Sequence, residues 1–413
     1  GSGRDCFSYP LYPRSRRKLV KSREMSKIES MSTAYDILDR LIAFPSVSRD
    51  GNIDLIRYVA DFLEQNGIQS RLYPSETGDR ANLFATVGPD GPGGIVLSGH
   101  TDVVPVDGQD WTRDPFRMSE ADGRLYGRGT TDMKGFVACA MEAMVAAKTQ
   151  NLSRPLHIAL SYDEEIGCVG VRPMLAELSK AGLKPDWVLV GEPTSMQVAA
   201  GHKGKTGAHA TCCGVAAHSA LAPTGLNAIH LAADFLKDIR ALQGELEETG
   251  SRDDDYDIPY TTVHAGIIHG GTALNIVPDH CTLSFEIRNI ASDDPKALMD
   301  RLFESAGRIS AKARERFPDA GIDIEIFNES PGLDTSSGGT AVSNALSLSR
   351  TNRAIKVAFG TEGGLFTSTL GVPAVVCGPG NMEQGHKPDE FVTRDQIEAC
   401  RAMLGRVSDQ LVA

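Results

Sequence analysis

The sequence predicts an α/β protein with a mixed central sheet and a second, inserted α+β domain. From residue 34 onward helical and extended segments alternate, and apolar runs at 94–100, 156–162 and 186–192 are typical of strands that are covered on both faces. Between 208 and 332 the order of segments becomes β-α-β-β-α-β, which is that of a ferredoxin-like unit. At 413 residues the chain also exceeds the size at which a single core usually stops growing.

The larger domain is predicted to begin at residue 31, and its first part spans 31–207. Residues 35–44 and 55–67 have helical periodicity, and Gly67 is suited to end the second helix. An extended run at 82–88 precedes the three apolar runs. The Gly/Pro cluster at 88–94 lies between that extended run and the first apolar run. It is predicted to be a hairpin loop, because it lacks the Lys-Ser/Thr of a phosphate-binding loop.

The inserted domain is predicted over 208–332, and the larger domain resumes over 333–413. The segments of the insert are a strand, a helix, two strands, a helix and a strand, at 208–217, 227–248, 261–271, 281–289, 294–316 and 322–330. After about residue 338 the αβ alternation returns and ends in a helix near 394–412. The insert is therefore expected to form a separate layer on the main domain.

Residues 1–30 are predicted to be a disordered extension or tag. They begin Gly-Ser-Gly and contain a basic run with Arg16 and Arg17, but no apolar segment follows. A twin-arginine or mitochondrial signal is the alternative interpretation. A natural start near Met31 is favoured.

Composition limits the classes of function. The net charge of −12 argues against a nucleic-acid partner, since phosphate binding requires a basic face. No apolar stretch reaches the roughly 18 residues that a membrane-spanning helix needs. The eight cysteines form no C-x-x-C pair and are predicted to be reduced thiols, which indicates a cytoplasmic protein. A small-molecule substrate is the expected partner.

Residues able to bind metal follow several of the predicted strands. An acidic triplet such as residues 163–165 is, by itself, more often a solvated loop. Here, however, two histidines and further carboxylates also follow predicted strands. Imidazole with carboxylate is a donor set that suits zinc. The candidates are His100, Asp102, Asp132, Glu164, Glu165, Glu192 and His386. They predict a site for two divalent cations, in which one carboxylate bridges the metals and another takes a proton from the attacking water.

Taken together, these motifs resemble those of the family of two-zinc deacylases and exopeptidases that includes acetylornithine deacetylase, succinyl-diaminopimelate desuccinylase and glutamate carboxypeptidases. The resemblance runs from about residue 34 to the C-terminus and implies a zinc-exopeptidase-like catalytic domain with an inserted lid and dimerisation domain. It implies ligands for one zinc at His100, Asp132 and Glu192, and for the other at Asp132, Glu165 and His386. Glu164 falls where the family has its general base, and Asp102 where it has the residue that orients the metal-binding histidine.

The same resemblance implies five further site residues and a homodimer. His218 corresponds to a histidine that reaches across the dimer interface to stabilise the oxyanion, and Asn275 and Arg288 lie where the family binds substrate. Arg288 suits a carboxylate, although an ion pair with its strand neighbour is the alternative. Thr361 and Glu362 resemble the acetylornithine deacetylase pattern, and Glu362 is expected either to pair with a substrate ammonium or to sit at a helix N-terminus.

The expected activity is zinc-dependent hydrolysis of an N-acyl amino acid, with cobalt able to substitute. N2-acetylornithine, which would give ornithine and acetate in arginine biosynthesis, is the favoured substrate. Succinyl-diaminopimelate desuccinylase and a metallo-exopeptidase of the same family share every predicted metal ligand and remain alternatives. A non-catalytic binding protein on this scaffold is the alternative from another class.

Overall fold

The computed structural model describes residues 33–413, which form one compact unit. The predicted extension at 1–30 lies outside the described residues. The helices within the described part are α1 (Ala34–Ile42), α2 (Ile53–Gln65), α3 (Lys134–Lys148), α4 (Val171–Lys180), α5 (Ala228–Thr249), α6 (Pro295–Arg314), α7 (Thr340–Ser349), α8 (Gly363–Leu370) and α9 (Arg394–Gln410). No helix among them is long and apolar enough to cross a membrane.

The strands fall into one large sheet and three smaller ones. They are β1 (Ser70–Pro74), β2 (Ala81–Val87), β3 (Ile95–His100), β4 (Ser119–Ala121), β5 (Arg124–Tyr126), β6 (Leu156–Ser161), β7 (Trp187–Pro193), β8 (Ala199–His202), β9 (Lys205–Cys213), β10 (Ala217–His218), β11 (Thr262–Gly270), β12 (Ile276–Val277), β13 (His280–Arg288), β14 (Gly321–Ser330), β15 (Leu333–Asp334), β16 (Ile355–Val357), β17 (Ala374–Gly378) and β18 (Phe391–Thr393).

The large sheet is mixed, as predicted. Its order is β1-β2-β6-β3-β7-β17-β8-β15, with β16 beside β8. The strands β6, β3, β7 and β17 run parallel, and β2 is antiparallel to β6. The predicted hairpin at 88–94 is wrong, because β2 and β3 do not pair with each other. Both instead pair with β6, whose six residues are all buried, so the connecting loop crosses the end of that strand.

Helices cover both faces of this sheet. One face packs against α1, α3 and α9, and the other against α4 and α8. Twelve of the fifteen residues of α3 are buried, which explains why its sequence is apolar around nearly the whole helix. At the start of α1, the Thr33 hydroxyl and the Asp36 carboxylate cap each other's backbone N–H groups.

A second, four-stranded antiparallel sheet has the order β11-β13-β9-β14 and carries α5 and α6 with its own apolar core. Chain order and sheet order together confirm the predicted ferredoxin-like arrangement. Side chains at the N-caps, Asn227 for α5 and Asp294 for α6, accept from the first backbone N–H groups of these helices. The strand β9 already begins at Lys205, and the predicted domain boundaries at 207/208 and 332/333 stay predictions.

Candidate metal centre

The carboxyl ends of the parallel strands bring the predicted metal ligands together. His100 ends β3, and Glu192 lies near the end of β7. The His100 Nε2 atom lies 2.9 Å from Asp132 Oδ1 and 3.7 Å from Glu192 Oε1. The edge where parallel strands end is also where α/β sheets usually bind ligands.

A second histidine approaches the same aspartate from the opposite side. The His386 Nε2 atom lies 3.0 Å from Asp132 Oδ2 and 3.1 Å from Glu165 Oε2. Asp132 thus directs one oxygen toward each histidine. That arrangement is the one expected of a carboxylate that bridges two cations.

The donor set fits divalent cations. Donor atoms of His100, Glu164 and Glu192, and likewise those of His100, Asp132 and Glu165, lie within 4.8 Å of one another. Glu165 Oε1 is buried and has no hydrogen-bond partner among the described residues. Buried carboxylates at such spacing require positive charge, and imidazole with carboxylate oxygen suits zinc and related ions.

Asp102 holds this cluster from behind. Its backbone carbonyl is the nearer partner of His100, at 2.9 Å from Nδ1, whereas its carboxylate Oδ1 lies at 3.5 Å. The carboxylate accepts hydrogen bonds from the hydroxyl of Ser48 at 2.7 Å and from the backbone N–H groups of Glu164 and Glu165 at 3.1 and 3.3 Å. Asp102 therefore orients both the His100 imidazole and the acidic turn at 163–165. Because a carbonyl oxygen only accepts, the contact with Nδ1 fixes the tautomer of His100.

The three acids of the 163–165 triplet have different surroundings. Asp163 pairs with Arg80 at 3.2 Å and so is removed from the centre. Burial, together with the neighbouring carboxylates, raises the pKa of Glu164 to about 8. Burial and the nearby Asp132 charge raise the pKa of Glu165 to about 7. Carboxylates with such elevated pKa values are suited to accept a proton near neutral pH.

The pKa values of Asp132, His386 and Glu192 are shifted as well. Burial would raise the pKa of Asp132, but hydrogen bonds from His100 and His386 bring it well below its usual range. Hydrogen bonds to Asp132 and Glu165 raise the pKa of His386 to about 10. Burial raises the pKa of Glu192 well above its ordinary value.

The sequence profile described as "Peptidase family M20/M25/M40" matches residues 96–410. This chain belongs to peptidase family M20/M25/M40. An acetylornithine deacetylase from Proteus mirabilis (strain HI4320) is 34% identical over 385 residues, which covers 91% of this chain and 96% of that protein.

Solved M20 structures have the same fold. The M20 family metallo-carboxypeptidase Sso-CP2 from Sulfolobus solfataricus aligns with a TM-score of 0.74 at 20% identity, over 92% of this chain and 99% of that one. The YXEP protein of Bacillus subtilis, described as a dinuclear metal binding peptidase, aligns with a TM-score of 0.66 at 15% identity, over 92% and 97% of the two chains.

Two residues that support the centre of this M20 hydrolase were not predicted from the sequence. Glu390 is buried, and its Oε1 atom accepts the backbone N–H groups of Thr131 at 2.9 Å and Asp132 at 3.1 Å. Its Oε2 atom accepts from Arg128 Nη1 at 2.7 Å, and Arg128 is itself buried. The charged residues in "GRGTTD" and "KPDE", each within five positions of a predicted ligand, were the available signal.

A cavity of about 180 Å³ adjoins the metal ligands of this M20 hydrolase and includes only one of the four predicted substrate-binding residues. Arg288 lines it and also forms the alternative ion pair, since its Nε atom lies 3.0 Å from Glu286 Oε1. His218 on β10 and Asn275 in the turn before β12 are exposed and do not line the cavity. Their predicted contacts are not formed within this single chain.

Thr361 and Glu362 are enclosed rather than open to the cavity. The Thr361 hydroxyl accepts the backbone N–H of Gly363 at 3.0 Å at the start of α8. The Glu362 carboxylate is buried behind the ligands, 3.4 Å from the hydroxyl of Ser98, and burial raises its pKa to about 7. Protein atoms thus enclose the Glu362 carboxylate, and its contact with a substrate ammonium stays a prediction.

Proposed function

We propose that this M20 hydrolase cleaves the amide bond of N2-acetylornithine to give ornithine and acetate. The observation that carries the proposal is the pair of histidines that share Asp132 beside the half-buried Glu164. The identity of 34% with an acetylornithine deacetylase over most of both chains supports the choice of substrate.

We propose two zinc ions per subunit as the cofactor, with cobalt able to replace them. His100, Asp132 and Glu192 would hold one ion, and Asp132, Glu165 and His386 the other. When bound, such ions polarise an acyl carbonyl and make water more acidic. The dinuclear description of the Bacillus subtilis neighbour supports the number of ions.

Glu164 would take the proton from the attacking water and return it to the leaving amine. Burial raises the pKa of Glu164, and a raised pKa favours the role of a proton acceptor. The thiol of Cys168 donates a hydrogen bond to Glu164 Oε1 at 3.2 Å and holds that oxygen in place. Arg288, at the other side of the cavity, would hold the substrate carboxylate.

The decisive experiment measures ornithine release from N2-acetylornithine by zinc- or cobalt-loaded protein. We expect turnover that a chelator abolishes, and a Glu164→Gln variant that keeps its metal but loses several orders of magnitude in rate. Absence of turnover in protein that holds two metals would leave succinyl-diaminopimelate or a peptide as the substrate. Full activity of Glu164→Gln would refute the assigned base.

We also propose a homodimer in which His218 acts in the partner's site. His218 is exposed, its Nδ1 atom accepts the backbone N–H of Ala220 at 3.1 Å, and it does not line the cavity of its own chain. Mixing inactive His218→Ala protein with inactive Glu164→Gln protein should restore part of the activity, since one site of the mixed dimer keeps both residues. No recovery after demonstrated subunit exchange would contradict the role.

A binding protein without catalysis is the second class of function. The intact set of predicted ligands and the base argues against it. A cytoplasmic location remains a prediction that rests on the cysteine pattern, and the seven cysteines of the described residues are free thiols.

A further inference from the structure

Three neighbouring strands of the second sheet end beside the metal ligands with polar residues in one row. Lys205 at the start of β9 pairs with Ser330 of β14. On the other side, Thr206 pairs with Ile287 of β13, so Arg288 is the cross-strand neighbour of Lys205. Lys205, Arg288 and Ser330 all line the cavity that Glu164 and Glu192 also line. Because cross-strand neighbours on one face stand about 5 Å apart, the positively charged side chains of Lys205 and Arg288 lie side by side.

Arg288 does not have its full set of donors free for a substrate. Its Nε atom donates to Glu286 Oε1 at 3.0 Å, and its Nη2 atom donates to Glu286 Oε2 at 3.4 Å. One edge of the guanidinium is therefore already occupied by a carboxylate. The other edge, with N–H groups on Nη1 and Nη2, remains free for a substrate carboxylate, but the Glu286 charge already offsets that of Arg288.

Lys205 can supply a second positive charge and further donors. Its Nζ atom lies 3.8 Å from Glu286 Oε2, beyond hydrogen-bond distance, and it makes no hydrogen bond to any described residue. The side chains of Lys205 and Arg288 are each 30% exposed, so both reach the solvent of the cavity. Lys205, Arg288 and Glu286 together carry a net charge of +1. That charge is opposite and equal to the charge of one substrate carboxylate.

We propose that Lys205 is a substrate-binding residue that holds the α-carboxylate of the N-acyl amino acid together with Arg288. This inference rests on the proposed function. The Lys205 ammonium and the free edge of the Arg288 guanidinium would bind the same substrate carboxylate. The carboxylate would thus be bound between strands β9 and β13, while the acyl group lies toward Glu164. Lys205 selects for substrates that carry an α-carboxylate against those in which it is an amide.

The test compares two ligands that differ only in that group. Binding of N2-acetylornithine and of its α-carboxamide is measured by calorimetry on metal-loaded protein in the Glu164→Gln background, which prevents turnover. We expect Lys205→Met to weaken binding of the acid by at least about tenfold, the effect of one charge-assisted hydrogen bond, and to change binding of the amide by less than about threefold. Lys205→Arg should retain most of the affinity for the acid.

A control variant removes one lysine that does not line the cavity. Lys180 on α4 lies 2.7 Å from Glu177 and is 73% exposed, so Lys180→Met changes the net charge equally without touching the cavity. It should alter binding of neither ligand. Lys205→Gln provides a second neutral variant should Lys205→Met fail to fold.

Two results would overturn the role of Lys205. Equal weakening of acid and amide would mean a structural effect, and unchanged binding of both would mean no contact. Turnover by the unmodified protein is measured in parallel. Its absence would refute acetylornithine as the substrate, whereas the difference between acid and amide decides the role of Lys205. A protein that binds no N-acyl amino acid at all would overturn both proposals.

Discussion

Replacing Glu390 by alanine should damage the metal centre without removing any metal ligand. The Glu390 carboxylate accepts the backbone N–H groups of Thr131 and Asp132 and pairs with Arg128 at 2.7 Å. Glu390 and Arg128 are both only 1% exposed. The substitution therefore leaves a buried guanidinium without its carboxylate and removes the hydrogen bonds that hold the backbone of Asp132, the proposed bridging residue.

The magnitude has two parts. Removing one partner of a buried ion pair costs about 3–5 kcal/mol in the free energy of unfolding, because the other charge stays buried. Loss of a group that orients a metal ligand usually weakens metal affinity or activity by about 10- to 100-fold. Gln109 accepts a hydrogen bond from Arg128 and donates one to the backbone carbonyl of His386 at 3.0 Å. The loop that carries His386 should therefore become less ordered as well.

The assay combines urea unfolding of metal-free protein with calorimetric zinc titration. The double variant Arg128→Leu/Glu390→Leu serves as the comparison. It should be destabilised by less than the sum of the two single changes, since it leaves no unpaired buried charge. A Glu390→Ala protein that lost stability but bound zinc and turned over substrate normally would refute the argument that Glu390 positions Asp132.

Two further predictions concern pH and packing. Metal-free protein should lose stability as the pH rises from about 5 to 9. On folding, the pKa values of Glu164 and Glu165 rise from 4.5 to about 8 and 7, and that of His386 rises from 6.5 to about 10. In this pH range the folded state therefore holds protons that the unfolded state has released. Thermal unfolding at several pH values tests this, and zinc should flatten the decline; a metal-free stability that increased with pH would contradict it. Gly191→Ala should lower the free energy of unfolding by about 1–3 kcal/mol, since its Cβ would lie 1.9 Å from the ring of Phe136, and Phe136→Leu in the same chain should restore part of the loss in urea unfolding. An unchanged unfolding midpoint for Gly191→Ala would show that the ring moves freely.

Local patterns determined the elements of the fold. Runs such as 156–162 form buried strands because apolar residues predominate in them, and the β-α-β-β-α-β order of the insert is a direct consequence of alternating periodicities. The same patterns predicted which polar residues follow strands, and hence which residues could meet at one edge of the sheet. His100, Glu165 and His386 were identified in this way.

Pairing between distant segments was decided only by the tertiary structure. Nothing in residues 82–100 indicates that β6 inserts between β2 and β3, because strand order depends on the whole sheet. The enclosure of Glu362, the bond of Glu390 to the loop that carries Asp132, and the alignment of Lys205 with Arg288 likewise join residues far apart in the chain. The sequence specifies the types of residue at the site, whereas burial and register, which arise from packing between segments, determine the contact that each one makes.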